Sequence, residues 1–244
     1  MDGLVTGKSN YFLARKNNKD AVFDKNGNQI SEWFDEIWKY GLVKGQSKYY
    51  LAKKNEKWAI FHKSGKQVSN WFDNILIDGL VNGRSKYYLA QKNRKWAIFD
   101  KDGNQVSEWV DFIHLYGLAL EESDYFIAKL NGKEAIFNKS GKRITEWFDN
   151  INEYGLVEGK NDFFFAKKNG QLAVYYKGGL KLFEVKEEDI YNTEKREEIF
   201  KKAKEVYLKK YTLKPKKRKV KIALDEKDID TSTFKPKRRM KLKP

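Results

Sequence analysis

Gly3, Gly41, Gly79, Gly117 and Gly155 each open a Gly-Leu-Val or a near variant of it, and successive members lie 38 residues apart. Five copies of one short unit constrain the fold more than any single motif does. A unit of this length cannot bury its own apolar face, so copies must stack on one another. A residue present in every copy most economically serves the unit, and specific chemistry is therefore sought where the copies differ.

The punctuation inside one copy places its strands. In the third, Lys86 to Lys92 (Lys-Tyr-Tyr-Leu-Ala-Gln-Lys) and Lys95 to Asp100 (Lys-Trp-Ala-Ile-Phe-Asp) have strand propensity and flank Asn93-Arg94, which predicts a hairpin. A turn containing Gly103 follows, then Gln105 to Val110 as a further expected strand, with Asp111 to Ala119 as a candidate fourth. Ala97 and Phe99 share one strand face and recur as Ala21/Phe23, Ala59/Phe61, Ala135/Phe137 and Ala173/Tyr175. A small residue followed by a large ring at constant phase marks the face on which units stack. The turn glycines Gly27, Gly65, Gly103, Gly141 and Gly179 and the asparagines Asn17, Asn55, Asn93, Asn131 and Asn169 also recur, and both types tolerate left-handed backbone. Trp33, Trp71, Trp109 and Trp147, each two residues before an aspartate, lapse in the fifth copy at Val185, which reads as an end cap.

Lys57-Trp58-Ala59-Ile60-Phe61, Lys95-Trp96-Ala97-Ile98-Phe99 and Trp71-Phe72-Asp73-Asn74-Ile75 resemble the unit of bacterial WG-repeat proteins over roughly residues 3–184. The motif glycine is alanine in every copy, and the motif tryptophan survives only as Trp58 and Trp96. The resemblance implies repeated β-structure used for binding and brings no catalytic residue with it. The expected fold is an all-β repeat protein of five 38-residue β-meander units, either an open, twisted, solenoid-like array or a five-bladed β-propeller.

Cysteine is absent, which excludes disulfides, thiolate nucleophiles and cysteine metal sites and points to a reducing compartment. Residues 1–20 lack an apolar run after a basic start and no long apolar stretch occurs, so the expectation is a cytoplasmic protein without a membrane span. His62 and His114 sit at different phases of the repeat with no partner implied. Asp35, Asp73, Asp111 and Asp149 form a ladder of carboxylates that suits either a turn or a cation. Phosphate-loop, nucleophile-elbow and zinc-protease motifs are missing, no cofactor is implied, and an enzyme is not expected.

The remaining signal lies beyond the repeats. Of the net charge of +16, residues 186–244 carry +10, with 21 Lys/Arg against 11 Asp/Glu, and all three prolines lie there. The division expected is a repeat domain over 1–185, an amphipathic helix over 186–211 and a basic tail over 212–244. Asn192 or Thr193 caps the helix, and Ile199, Phe200, Ala203, Val206 and Tyr207 form its apolar stripe, expected to dock on the last unit. The tail carries two basic clusters, Lys214, Lys216, Lys217, Arg218, Lys219 and Lys221, then Lys235, Lys237, Arg238, Arg239 and Lys241, on either side of an acidic spacer. Such clusters pair with phosphates, so the expected partner is RNA, DNA or a ribonucleoprotein, with Tyr49, Tyr87, Lys48 and Lys86 as secondary contacts. The alternative is an adaptor or inhibitor that docks its repeat surface on a nucleic-acid-processing protein. Leu120-Glu121-Glu122, which replaces a glycine loop, is the place to look for that contact. Pro215 to Val220 also resembles a viral nuclear-import signal, which would place the protein in a nucleus or mark an engineered segment.

Overall fold

Each unit is built on one hairpin whose two-residue turn has both residues left-handed, Asn93 at φ 52° and Arg94 at φ 61° in the third copy. Such a turn matches the right-handed twist of the flanking strands, and asparagine at its first position accepts the conformation at little cost. The computed structural model describes residues 7–212. The hairpins are β1 (Tyr11–Lys16) with β2 (Lys19–Asp24), β4 (Tyr49–Lys54) with β5 (Lys57–His62), β7 (Tyr87–Lys92) with β8 (Lys95–Asp100), β10 (Tyr125–Leu130) with β11 (Lys133–Asn138) and β13 (Phe163–Lys168) with β14 (Gln171–Tyr176). Between them lie the short strands β3 (Glu36–Ile37), β6 (Asn74–Ile75), β9 (Phe112–Ile113) and β12 (Asn150–Asn152). Each of these pairs antiparallel with the first strand of the next hairpin. The all-β repeat architecture read from the sequence is thus the observed one.

The expected strand over Gln105 to Val110 does not form. Gln105 makes a single bridge to Phe99 and Val110 one to Trp96, and the chain between them leaves the ladder. The cause is Ser107, whose buried hydroxyl accepts the Ile98 N–H at 3.0 Å and donates to the Glu108 carbonyl at 3.0 Å. Ser31, Ser69 and Thr145 do the same for Val22, Ile60 and Ile136. A side chain that takes over a ladder hydrogen bond competes with strand pairing. The candidate strand from Asp111 reduces to β9, and Gly117–Leu120 forms a 3-10 turn.

The core lies between units. Tyr50, Ala52, Ala59 and Phe61 pack on Val22, Phe34 and Ile37 of the unit before, while Leu51 and Ile60, on the other face, meet Tyr88, Ala90, Ala97 and Phe99 of the unit after. The recurring alanines are fully buried.

At the fifth unit β15 (Leu180–Glu184) adds a fourth strand beside β14. Two helices follow in place of the single one expected, α1 (Glu187–Tyr191) and α2 (Thr193–Tyr207). Asn192 caps α2 by accepting the Lys195 N–H at 3.1 Å. Ile190, Phe200 and Ala203 cover Phe163, Phe165 and Val174, the face that in earlier units receives the next hairpin. Arg196, which the sequence reading passed over, is buried there, donating to the Ile190 carbonyl at 2.9 Å with its guanidinium 3.9 Å above the Tyr154 ring.

Candidate functional site

The basic tail residues named above, Lys214 to Lys221 and Lys235 to Lys241, lie outside the described residues. The array itself carries the other candidates. The aspartate ladder proves structural. Asp35, Asp73 and Asp111 accept the backbone N–H of the next unit's turn asparagine at 2.8, 2.7 and 2.6 Å, and each pairs with a lysine of its own unit. Asp149 repeats the arrangement on Gly170. For Asp73 and Asp111 the lysine is the main cause that holds the carboxyl below its usual range, with the turn N–H second. Among the described residues no group of three or more His, Asp or Glu comes together as a metal site would require.

The histidines also resolve into local roles. His62 stands at the phase where Asp24 and Asp100 close the turn, and its Nδ1 lies 2.9 Å from the Ser64 hydroxyl. His114 does have a partner, contrary to expectation: its Nε2 is 3.5 Å from the buried Glu134 carboxylate. Burial pushes the Glu134 carboxyl up, but His114, the Ile151 N–H and Lys129 more than offset this and hold it low. The signal missed was phase, because Glu134 occupies the position of Trp58 and Trp96, where a carboxylate needs a partner.

One rim of the array concentrates the charge that varies. Lys25, Lys63, Lys101, Lys139 and Lys177 recur at constant phase, next to the corner residues Asn10, Lys48, Lys86, Asp124 and Asp162. In the fourth and fifth units the corner aspartates pair with Lys139 and Lys177, both at 2.9 Å. In the second and third units the corner is itself lysine; in the second, Lys63 donates its N–H to the Lys48 carbonyl at 2.8 Å beside the half-buried ring of Tyr49, so like charges meet, whereas in the third Lys101 pairs with Asp102 at 2.7 Å. The field is felt by His62, whose ring packs edge-on to Tyr49 with centroids 5.6 Å apart. Burial, then Lys63, Lys48 and Lys66, hold its pKa below the ordinary histidine value.

The rim is cut by grooves where the loop of one unit folds over the corner of the unit before. Between the first and second units the groove encloses about 220 Å³ and is lined by Lys8, Lys48 and Lys63. Between the fourth and fifth it encloses about 620 Å³ and is lined by Glu122 and Asp162 at the phases of Lys8 and Lys48, and by Tyr176, with Lys204 and Tyr207 of α2 as an outer wall. Between the third and fourth, Glu121 replaces the loop glycine, and its carboxylate accepts the Lys86 N–H at 2.9 Å. The loop singled out as a protein contact therefore turns its first carboxylate into the array.

No family model and no curated protein matches the chain. Among solved structures it is similar to Kluyveromyces lactis Hsv2 with its complete loop 6CD, at 9% identity and a TM-score of 0.35, covering 73% of this chain and 60% of that one. It is also similar to a eukaryotic initiation factor, at 11% identity and a TM-score of 0.40, covering 72% of this chain and 52% of that one. The chain thus spans less than two thirds of the structures it matches. Among the described residues no helix is long and apolar enough to cross a membrane.

Proposed function

We propose that this chain is a non-catalytic binding protein whose β-repeat platform presents a basic tail to nucleic acid, RNA or DNA, free or within a ribonucleoprotein. The observation that supports this reading is the rim of the second unit, where Lys48 and Lys63 act on His62 beside the Tyr49 ring and no carboxylate stands at the corner. Ammonium groups on a flexible stem pair with phosphates, and aromatic ring faces stack on bases. The tail clusters supply further phosphate contacts. The test is fluorescence anisotropy of a single-stranded oligonucleotide against salt. Replacing Lys216, Lys217, Arg218 and Lys219 by Gln should weaken binding and reduce the log-log salt slope by up to about 3, at roughly 0.7 per phosphate contact on single strands. A salt-independent affinity, or one untouched by these changes, rejects the reading.

A protein partner is favoured by one observation, the exposure of Phe112 (48%) and Tyr116 (47%) on the third unit. In that reading the array is an adaptor or inhibitor of a nucleic-acid-processing protein, and binding survives nuclease but not Phe112→Ser. We further read the units as an open array rather than a closed five-bladed ring. Supporting this, the pairings and apolar clusters join each unit to its sequence neighbours, and α2 occupies the face a following unit would take. Kinship with WG-repeat proteins rests on the residues that carry the resemblance.

A further inference from the structure

The grooves along the rim share a backbone and differ in what fills them. Between the third and fourth units an anion is already in place, the Glu121 carboxylate on the Lys86 N–H. Two units earlier, Gly45 stands at the phase of Glu121 and Asn10 at the phase of Lys86. Gly45 has φ +74°, and a Cβ there would lie 1.9 Å from the Lys8 carbonyl, so the loop approaches the corner too closely for a side chain. The groove stays open, and the Asn10 N–H has no acceptor among the described residues. Among the described residues Lys8, Lys48 and Lys63, which line it, form no ion pair either. Its hydroxyl is committed elsewhere: Ser9 Oγ donates to the Leu42 carbonyl at 2.7 Å and accepts the Tyr11 N–H at 3.1 Å. That bond ties the corner to the loop and gives the groove a fixed wall.

We propose that the groove between the first and second units is a phosphoryl-binding site, in which an external phosphate takes the position that the Glu121 carboxylate holds two units further on. The Asn10 N–H supplies one donor and the ammonium groups of Lys8, Lys48 and Lys63 surround the charge. Three lysines lining one cleft, with no ion pair among the described residues, repel one another, and a multiply charged anion relieves that repulsion as well as gaining hydrogen bonds. Of the grooves further along, Glu121 fills the one between the third and fourth units, and Asp124 and Asp162 pair with the lysines beside the one between the fourth and fifth. Between the second and third, Gln46 stands in place of Lys8 and Lys101 pairs with Asp102 at 2.7 Å, so fewer uncompensated charges face the groove. The site rests on the nucleic-acid reading only for the source of its phosphate, an oligonucleotide terminus or backbone rather than a free phosphate compound.

His62 is a built-in reporter, with Lys63, Lys48 and Lys66 as the charges acting on it and Ser64 as its hydrogen-bond partner. An NMR titration of the full chain with inorganic pyrophosphate, at constant ionic strength set with chloride, should raise the His62 pKa saturably and leave His114 unmoved. Lys48→Asp, which copies the fifth unit at an exposed position, should weaken pyrophosphate binding by about tenfold or more, a charged hydrogen bond being involved. A 5′-phosphorylated oligonucleotide competing with pyrophosphate at His62 supports nucleic acid as the source. A His62 response to pyrophosphate without competition keeps the site, assigns it a free phosphate compound and counts against nucleic acid as its ligand. A silent His62, or binding unchanged by Lys48→Asp, overturns the site even where an oligonucleotide still binds through the tail.

Discussion

The groove between the first and second units and the groove between the fourth and fifth share one backbone, but the first is lined by lysines alone among its charged residues and the second by acids and lysines together. Gly45 and Gly159 have φ +74° and +75°, and a Cβ on either would strike the carbonyl of Lys8 at 1.9 Å or of Glu122 at 2.1 Å. Ser9 ties the first corner to the Leu42 carbonyl at 2.7 Å, and Ser123 ties its own corner to the Val157 carbonyl at 2.8 Å. The residues that make the groove are thus held, while those that colour it alternate: Lys8 against Glu122, Lys48 against Asp162. The difference teaches where function enters a repeat protein. A side chain projecting into solvent from the rim touches no core, so its charge is free to change without disturbing the stack.

The comparison can be broken most strongly at the end of the array. Phe200→Ala removes a ring that seals the fifth unit against Phe165, and should cost about 3–5 kcal/mol in denaturant unfolding. An unfolding midpoint like that of the unaltered protein would show that α2 does not cap the array. Next come the glycines. Gly45→Ala and Gly159→Ala should each destabilise by about 1–3 kcal/mol, and by similar amounts, because each places a Cβ against backbone at positive φ. Unequal penalties would mean the two grooves do not share a backbone.

The aspartate ladder predicts a pH effect common to both halves. Asp35, Asp73, Asp111 and Asp149 have pKa values lowered by the turn N–H and lysine they hold. A depressed carboxylate pKa gives stability that is present above the unfolded value near 4 and is lost as pH falls through the folded value. Resistance to thermal unfolding should therefore fall progressively below about pH 4, and Asp111→Asn should flatten that slope; an unchanged slope would exclude Asp111 from it. The smallest effect sharpens the comparison. Asp124→Lys breaks an exposed pair with Lys139 and makes the fourth unit resemble the third, so it should leave the unfolding midpoint in place. A clear loss of stability would show that rim charge is not independent of the stack.

The sequence by itself determined the unit, its length and its stacking face, because these rest on periodicity: the buried alanines, the left-handed asparagines and the turn glycines all stand at the phases that predicted them. It also narrowed the cap of α2 to Asn192 or Thr193, of which Asn192 serves, and named Ile199, Phe200, Ala203 and Tyr207 among the residues that dock, since capping and helical spacing are local signals. It misjudged Gln105 to Val110, because whether a strand-like run joins a ladder depends on what its neighbours donate, and Ser107 takes that donor first. Only the tertiary structure brought residues far apart in the chain to one place. Lys8, Lys48 and Lys63 share a groove because one unit's loop lies on another's corner, and Glu121 reaches Lys86 across the same kind of junction. Charge proximity of this kind is set by the packing of units, which no window along a single repeat contains.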